Sequence, residues 1–371
     1  MNAAPARIDG LTIARGLAAW MVVLFHTRTA MPWLPGPGLA VLGKGYLAVD
    51  FFFLLSGFVI YLSAHRAFLD DGLAAAPAFF RRRLARIYPL YALMLVLTVA
   101  FAVLLTVTGR NTSGYPWREL PLHIAMLQNW GFTADLSWNH PAWSISTELA
   151  AYLLFPLIVV TTPIARMPRW ALAIGIVAAI TIMAAWLRAG GLTDLGQDIP
   201  RYGLIRCLFE FAAGSMLCAL WLKIGPDQRG RTTTVAGAVL IAAILLWSLD
   251  ARHELWAFPA IAGALILLLA ATSRAPGEGR TRSLPYRLFL HLGEISYATY
   301  LSHFMLFIWF KIVLVDDPAN IPPATMLLFL ALVLAVSTLL HHGIEKPGRR
   351  LARQASSPAH PVRISAASDQ A

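Results

Sequence analysis

Apolar residues run in blocks of about twenty along nearly the whole chain, separated by short polar stretches rich in Arg, Gly and Pro. A membrane-spanning helix needs roughly 20 mostly apolar residues. Ten stretches qualify: 11–28, 47–64, 87–108, 147–163, 170–188, 202–222, 234–250, 255–272, 288–314 and 323–343. The sixth is interrupted by Arg206 and Glu210, and the ninth by polar residues near its start. The pattern predicts an all-α, polytopic membrane protein of about ten transmembrane helices, occupying 1–353. The polar stretch 354–371, with two prolines, is expected to be a disordered tail. The run Gly16 to Phe25 is short enough for a signal peptide. No small-x-small cleavage site follows it, so it reads as a retained first span.

Composition sharpens this picture. Of 371 residues 58% are hydrophobic and only 13% charged, half the charge of an ordinary soluble domain. The net charge of +11 could suggest nucleic acid. Its distribution points elsewhere, because helical membrane proteins collect Lys and Arg in cytoplasmic loops. With the N-terminus inside, 20 basic residues fall in cytoplasmic segments and 7 on the opposite side. Both termini are therefore expected in the cytoplasm, with no nucleic-acid partner. The two cysteines, Cys207 and Cys218, lie eleven positions apart on one predicted helix. That is about 16 Å, too far for a disulfide, so they read as packing residues.

Titratable groups inside spans are costly and mark candidate sites. The first span carries Arg15 and His26, eleven positions apart. At 100° per residue they differ by only about 20° in azimuth and stand about 16 Å apart along the axis. One helix face thus holds a fixed cation near one mouth and a titratable base near the other. Asp50 opens the second span and could pair with His26, while Ser56 and Gly57 suit close helix packing. Arg81, Arg82, Arg83 and Arg86 fall in FFRRRLARIYPLY, read as a cytoplasmic loop. They fit phosphate oxygens and lipid headgroups equally well. On the far side Ser144, Glu148 and Tyr152 share a helical face. Ser296, Tyr300 and His303 do the same in the ninth span. Arg206 and Glu210, at i and i+4, read as an intramembrane ion pair, and Glu345 could pair with the arginine loop. Trp117, Trp130, Trp138 and Trp143 lie in the longest non-cytoplasmic loop, roughly 109–146, as an aromatic belt or a lid facing substrate. Metal, P-loop and dinucleotide motifs are absent from the sequence.

These segments, in order, resemble the acyltransferase-3 family of bacterial membrane acyltransferases. The resemblance rests on Arg15 and His26 in an Arg-x10-His pattern, VDFFFLLSGF (Val49 to Phe58), RRLARIYPLY (Arg82 to Tyr91), and WSISTE with Tyr152 and Pro156. Late in the chain it adds LGEISYATYLSH (Leu292 to His303), which contains Tyr297, and Glu345-Lys346-Pro347. The resemblance implies transfer of an acyl group, usually acetyl, from cytoplasmic acyl-CoA to a hydroxyl at the outer face of the bacterial inner membrane. The acceptor would be a glycan, a glycolipid or a small hydroxylated molecule. It implies His26 as the essential histidine with Arg15 as companion, and Asp50 or Glu148 as an orienting carboxylate. Arg82, Arg83 and Arg86, with Glu345, would lie on the acyl-CoA side; Trp143, Ser144, Tyr152, Tyr297, Tyr300 and His303 would support the acceptor side. No metal and no permanently bound cofactor are expected. Two departures from the family pattern are Leu149, where a second acidic residue is frequent, and Met305, where a proline is. The chain ends about 25 residues beyond its last predicted span, so a member without a fused extracytoplasmic domain is expected. A transporter or flippase using the same intramembrane charges is the alternative.

Overall fold

The computed structural model describes residues 8–272 and 283–354, all of them helix or connecting loop with no strand among the described residues. The helices are α1 (Asp9–Thr27), α2 (Gly36–Gly43), α3 (Ala48–Asp71), α4 (Ala76–Val107), α5 (Leu120–Ile124), α6 (Ala142–Thr161) and α7 (Arg169–Ala189). They continue with α8 (Ile199–Leu222), α9 (Arg229–Leu249), α10 (Glu254–Ala271), α11 (Leu284–Glu294), α12 (Ser296–Leu314), α13 (Pro323–Leu340) and α14 (Lys346–Gln354). Nine stretches of the described residues are long and apolar enough to cross a membrane. One of them, Gly36–Val107, is 72 residues long and contains the two long helices α3 and α4. The protein is an integral membrane protein. Residues 355–371 of the expected tail lie outside the described residues, as do Arg7, Arg274, Arg280 and Arg282 of the charge pattern.

Every predicted span finds a helix, and two boundaries are corrected. The arginine run is not a loop: Arg81 to Arg86 belong to α4, which starts eleven residues before the expected 87. Arginine is a good helix former, and only apolarity had set the span's start. The expected span 288–314 is two helices, broken at Ile295 between α11 and α12.

Small residues decide how closely the helices approach. A Cβ on Gly57 would strike the Phe211 carbonyl, and one on Gly214 the Leu54 carbonyl, so α3 and α8 meet backbone to backbone. This is the close approach that small residues permit in membranes. Gly16 of α1 meets Gly293 of α11 in the same way, with a built Cβ only 2.6 Å from the Gly293 nitrogen. Cys207 and Cys218 are buried and unbridged, as packing residues should be.

The segment 109–141 folds back onto the bundle rather than lying flat as a belt. Trp138 is buried, with its indole N–H donating to the Pro116 carbonyl at 3.3 Å, and Trp130 donates to the Ser146 carbonyl at 2.9 Å. Asn139 donates to the Leu301 carbonyl at 3.0 Å, tying the segment to α12. Only Trp117 of the four tryptophans is exposed.

His123 fastens this segment from inside. It is buried, and its Nε2 lies 3.0 Å from the Ser137 hydroxyl, which in turn donates to Glu119 at 2.7 Å. Burial holds its pKa at about 4, against 6.5 for a free histidine. The folded segment therefore favours neutral imidazole. Its stability is complete above pH 6.5 and falls as pH drops from 6.5 towards 4, where the unfolded form takes up the proton first. Protection factors for amide exchange in 109–141, taken against the intrinsic rate at each pH, should fall over that window. His123→Gln, which has no proton to gain, should flatten the pH dependence.

Candidate functional site

Two cavities within the bundle share one wall residue, Tyr300. The first, of about 190 Å³, is bordered by His26, His140, Trp143, Arg206 and Tyr300, with Tyr46 and apolar residues of α1, α3 and α8. The second, of about 120 Å³, is bordered by Arg15, Ser56, Arg83, Arg86, Glu148, Tyr152, Tyr297 and Tyr300.

In the histidine cavity, His26 occupies the last turn of α1, where Nδ1 lies 2.9 Å from the Val22 carbonyl and 3.1 Å from Nε2 of His303. Nδ1 of His303 in turn lies 3.1 Å from the Thr299 carbonyl. A carbonyl can only accept, so this bond assigns the proton of a neutral His303 to Nδ1 and leaves its Nε2 as an acceptor. His26 Nδ1–H then donates to both the Val22 carbonyl and His303. The tautomer follows: Nε2 of His26 carries the lone pair, and no described residue hydrogen-bonds to it. The ring is held by Phe25 at 5.1 Å and Phe304 at 5.5 Å between centroids. His303, expected as a supporting residue, is the residue that orients His26.

Asp50 does not pair with His26. It is fully buried, and its Oδ1 accepts from Arg206 Nη2 at 2.6 Å and Nε at 3.1 Å. The close α3–α8 packing brings the two within reach, so the charge partner comes from the facing helix rather than from α1. The expected Arg206–Glu210 pair is corrected by the same contact. Glu210 lies against the Asp50–Arg206 pair, and its carboxyl oxygens accept no hydrogen bond among the described residues.

In the arginine cavity, Arg15 donates to the Gly293 carbonyl at 2.7 Å and 3.2 Å. That carbonyl is available because α11 ends at Glu294, and the last carbonyls of a helix lack intrahelical partners. Arg15 and His26 thus border different cavities. Arg83 and Arg86, three residues apart on α4, both face inward, whereas Arg82 is exposed and borders neither cavity. One helical step of 100° separates Arg82 from Arg83. Glu148 Oε1 accepts from the Tyr152 hydroxyl at 2.5 Å and from Ser56. Ser56, read as a packing residue, is thus a ligand of Glu148. The Tyr297 hydroxyl donates to the Ile87 carbonyl at 2.6 Å, two residues before Pro89. Glu345, in a π-turn over His341–Glu345, takes His341 at 2.7 Å and Arg349 at 3.1 Å as partners. The π-turn aligns these i±4 neighbours, so the expected arginine pairing is reduced to a Coulombic influence from Arg86.

Ser144 and Tyr300, from α6 and α12, join hydroxyl to hydroxyl at 2.8 Å. Trp143 borders the histidine cavity, 5.6 Å from the Arg206 guanidinium. Tyr46, His140 and Arg206 are cavity residues that sequence reasoning missed as site candidates. His140 is half-buried, and burial lowers its pKa from the ordinary value. Among the described residues no group of three or more His, Cys, Asp or Glu is arranged to hold a metal ion.

A family model described as an acyltransferase domain matches residues 8–342. The chain belongs to the acyltransferase-3 family. It is 30% identical over 373 residues to the acyltransferase MdmB of Streptomyces mycarofaciens, covering 93% of this chain and 92% of that protein. It is 24% identical to a Staphylococcus aureus (strain COL) protein whose name provisionally assigns it to the O-acetyltransferases. It is 25% identical to YrhL of Bacillus subtilis (strain 168), provisionally named a peptidoglycan O-acetyltransferase. The alignments take in 92% of this chain but only 57% and 55% of those two longer relatives. No solved structure matches. In this acyltransferase-3 protein the family model covers both cavities and every helix from α1 to α13.

Proposed function

We propose that the protein is a membrane O-acyltransferase that moves an acyl group, acetyl in the first instance, from acyl-CoA to a hydroxyl acceptor. The observation that carries this reading is the unpartnered Nε2 of His26, fixed by His303 in a cavity that abuts a second one furnished with Arg83 and Arg86. Arginine forks suit the phosphates of CoA. A thioester needs no metal for transfer; it needs a base for the incoming hydroxyl and stabilisation of charge at the carbonyl. His26 Nε2 takes the hydroxyl proton as the oxygen attacks the thioester carbon. The C–O bond forms, the C–S bond breaks, and the proton passes to the departing sulfur, giving ester and free CoA thiol.

The excess of basic residues on one side supports ten spans with both termini and the arginine cavity cytoplasmic. The acceptor side then opens on the outer face of the inner membrane. The name of the Bacillus subtilis relative, which specifies peptidoglycan, supports an acceptor of glycan type, a glycolipid or small hydroxylated molecule being the other forms.

The test is release of CoA thiol from acetyl-CoA by the purified full chain in detergent, beside Arg83→Ala. Wild type should turn over acetyl-CoA. Arg83→Ala should raise KM at least tenfold with a smaller change in kcat, because it removes a binding contact remote from the thioester. A folded wild type that neither binds nor consumes any acyl-CoA sinks the proposal and leaves the transporter alternative standing.

A further inference from the structure

Among the described residues bordering either cavity, Tyr300 alone borders both. Its hydroxyl meets Ser144, a wall residue of the arginine cavity, at 2.8 Å. It also donates to the carbonyl of Pro141, a wall residue of the histidine cavity, at 3.0 Å. Its ring packs edge-on against Phe52 at 5.8 Å and stands 6.2 Å from the ring of His303, the partner of His26. The side chain is buried and held at both ends, so it is a fixed wall rather than a loose one.

We infer that Tyr300 is the partition between the two cavities and determines how long an acyl chain can reach His26. The inference rests on the acyl-CoA reading above. A thioester held from the arginine cavity must bring its carbonyl to about 3–3.5 Å from the attacking oxygen beside His26, and the way between the two cavities runs past the Tyr300 ring. In the step itself the acceptor oxygen bonds to the acyl carbon, the carbon–sulfur bond breaks, and the acceptor's proton ends on sulfur. All of the acyl chain must therefore have passed or bent around Tyr300 before bond exchange. The histidine cavity, at about 190 Å³, also has to receive the hydroxyl-bearing part of the acceptor. Apolar pockets discriminate one methylene by about 10- to 200-fold, so a rigid aromatic wall at this point selects short chains.

The experiment compares acetyl-, butyryl- and hexanoyl-CoA as donors, with water as acceptor and release of CoA thiol as the readout, for the full chain in detergent. Tyr300→Phe keeps the ring and loses the hydroxyl; Tyr300→Leu and Tyr300→Ala open the wall in two steps. Wild type should prefer acetyl, and Tyr300→Phe should keep that preference even if its rate falls. Tyr300→Leu and Tyr300→Ala should raise the hexanoyl-to-acetyl ratio of kcat/KM at least tenfold. If Tyr300→Ala does not fold, Tyr300→Leu carries the comparison. Equal ratios in wild type and the opened variants overturn the inference while leaving acyl-CoA chemistry intact. So does a shift in Tyr300→Phe as large as in Tyr300→Leu, which would assign the effect to the hydroxyl. A wild type that consumes none of the three donors removes the acyl-CoA reading, and the inference with it.

Discussion

His26→Gln is expected to lower acyl-CoA turnover by about 10²- to 10⁴-fold, the span over which a positioned general base contributes, with little change in thermal stability. Glutamine is of similar reach and can still donate to the Val22 carbonyl and to His303, the two partners of the native Nδ1. It offers no base at the position of Nε2. His26 does not border the arginine cavity, so CoA affinity should stay within about twofold of wild type. The comparison requires turnover and CoA binding to be measured on the same preparation. A folded variant that keeps more than about a tenth of wild-type turnover would remove His26 from the role of base. Loss of CoA binding along with turnover would instead mean that the two cavities are not the separate compartments described above.

The second large effect is one of stability. Asp50→Ala leaves the guanidinium of Arg206, only 1% exposed, without its carboxylate in the interior. Breaking a buried pair on one side costs about 3–5 kcal/mol, because the surviving charge is desolvated and uncompensated. Glu210 beside it offsets part of that cost if it takes over the pairing, which makes the single substitution at Glu210 a useful control. The double variant Asp50→Leu/Arg206→Leu removes both charges and should recover most of the loss. The measurement is a double-mutant cycle over Asp50→Leu, Arg206→Leu and their combination, from reversible unfolding in mixed micelles. A coupling energy near zero would show that the pair contributes nothing to holding α3 against α8, and would sink the prediction.

The number and rough limits of the helices were readable because a bilayer imposes a length and a polarity that sequence displays directly. The same signal is blind to polar residues that continue a helix, so by apolarity alone the arginine run reads as a loop although it belongs to α4. Which residues would furnish the cavities was readable where the chemistry is local to one helix. Ser144, Glu148 and Tyr152 line up by spacing alone, and Glu148 and Tyr152 do bond to one another. Pairings between helices were not readable. Asp50 and Arg206 are 156 residues apart, His26 and His303 are 277, and nothing in their spacing relates them. Gly57 was visible as a site of close helix approach and Gly214 was not, and the partner surface each one meets is a property of the packed bundle.

The contact of Gly16 with Gly293 has a further meaning for α1. Gly45 adds a second close approach, its built Cβ falling 2.5 Å from the Met21 carbonyl. α1 is thereby clamped at two heights and is not free to spin about its axis. The turns between the clamps act as a ruler that fixes the phase of His26 relative to Arg15. Substitutions along this stretch leave the ruler intact as long as they fit. One residue inserted or deleted between Gly16 and His26 turns everything beyond it by about 100°, swinging the imidazole away from His303. The segment should therefore tolerate changes of letter far better than changes of length.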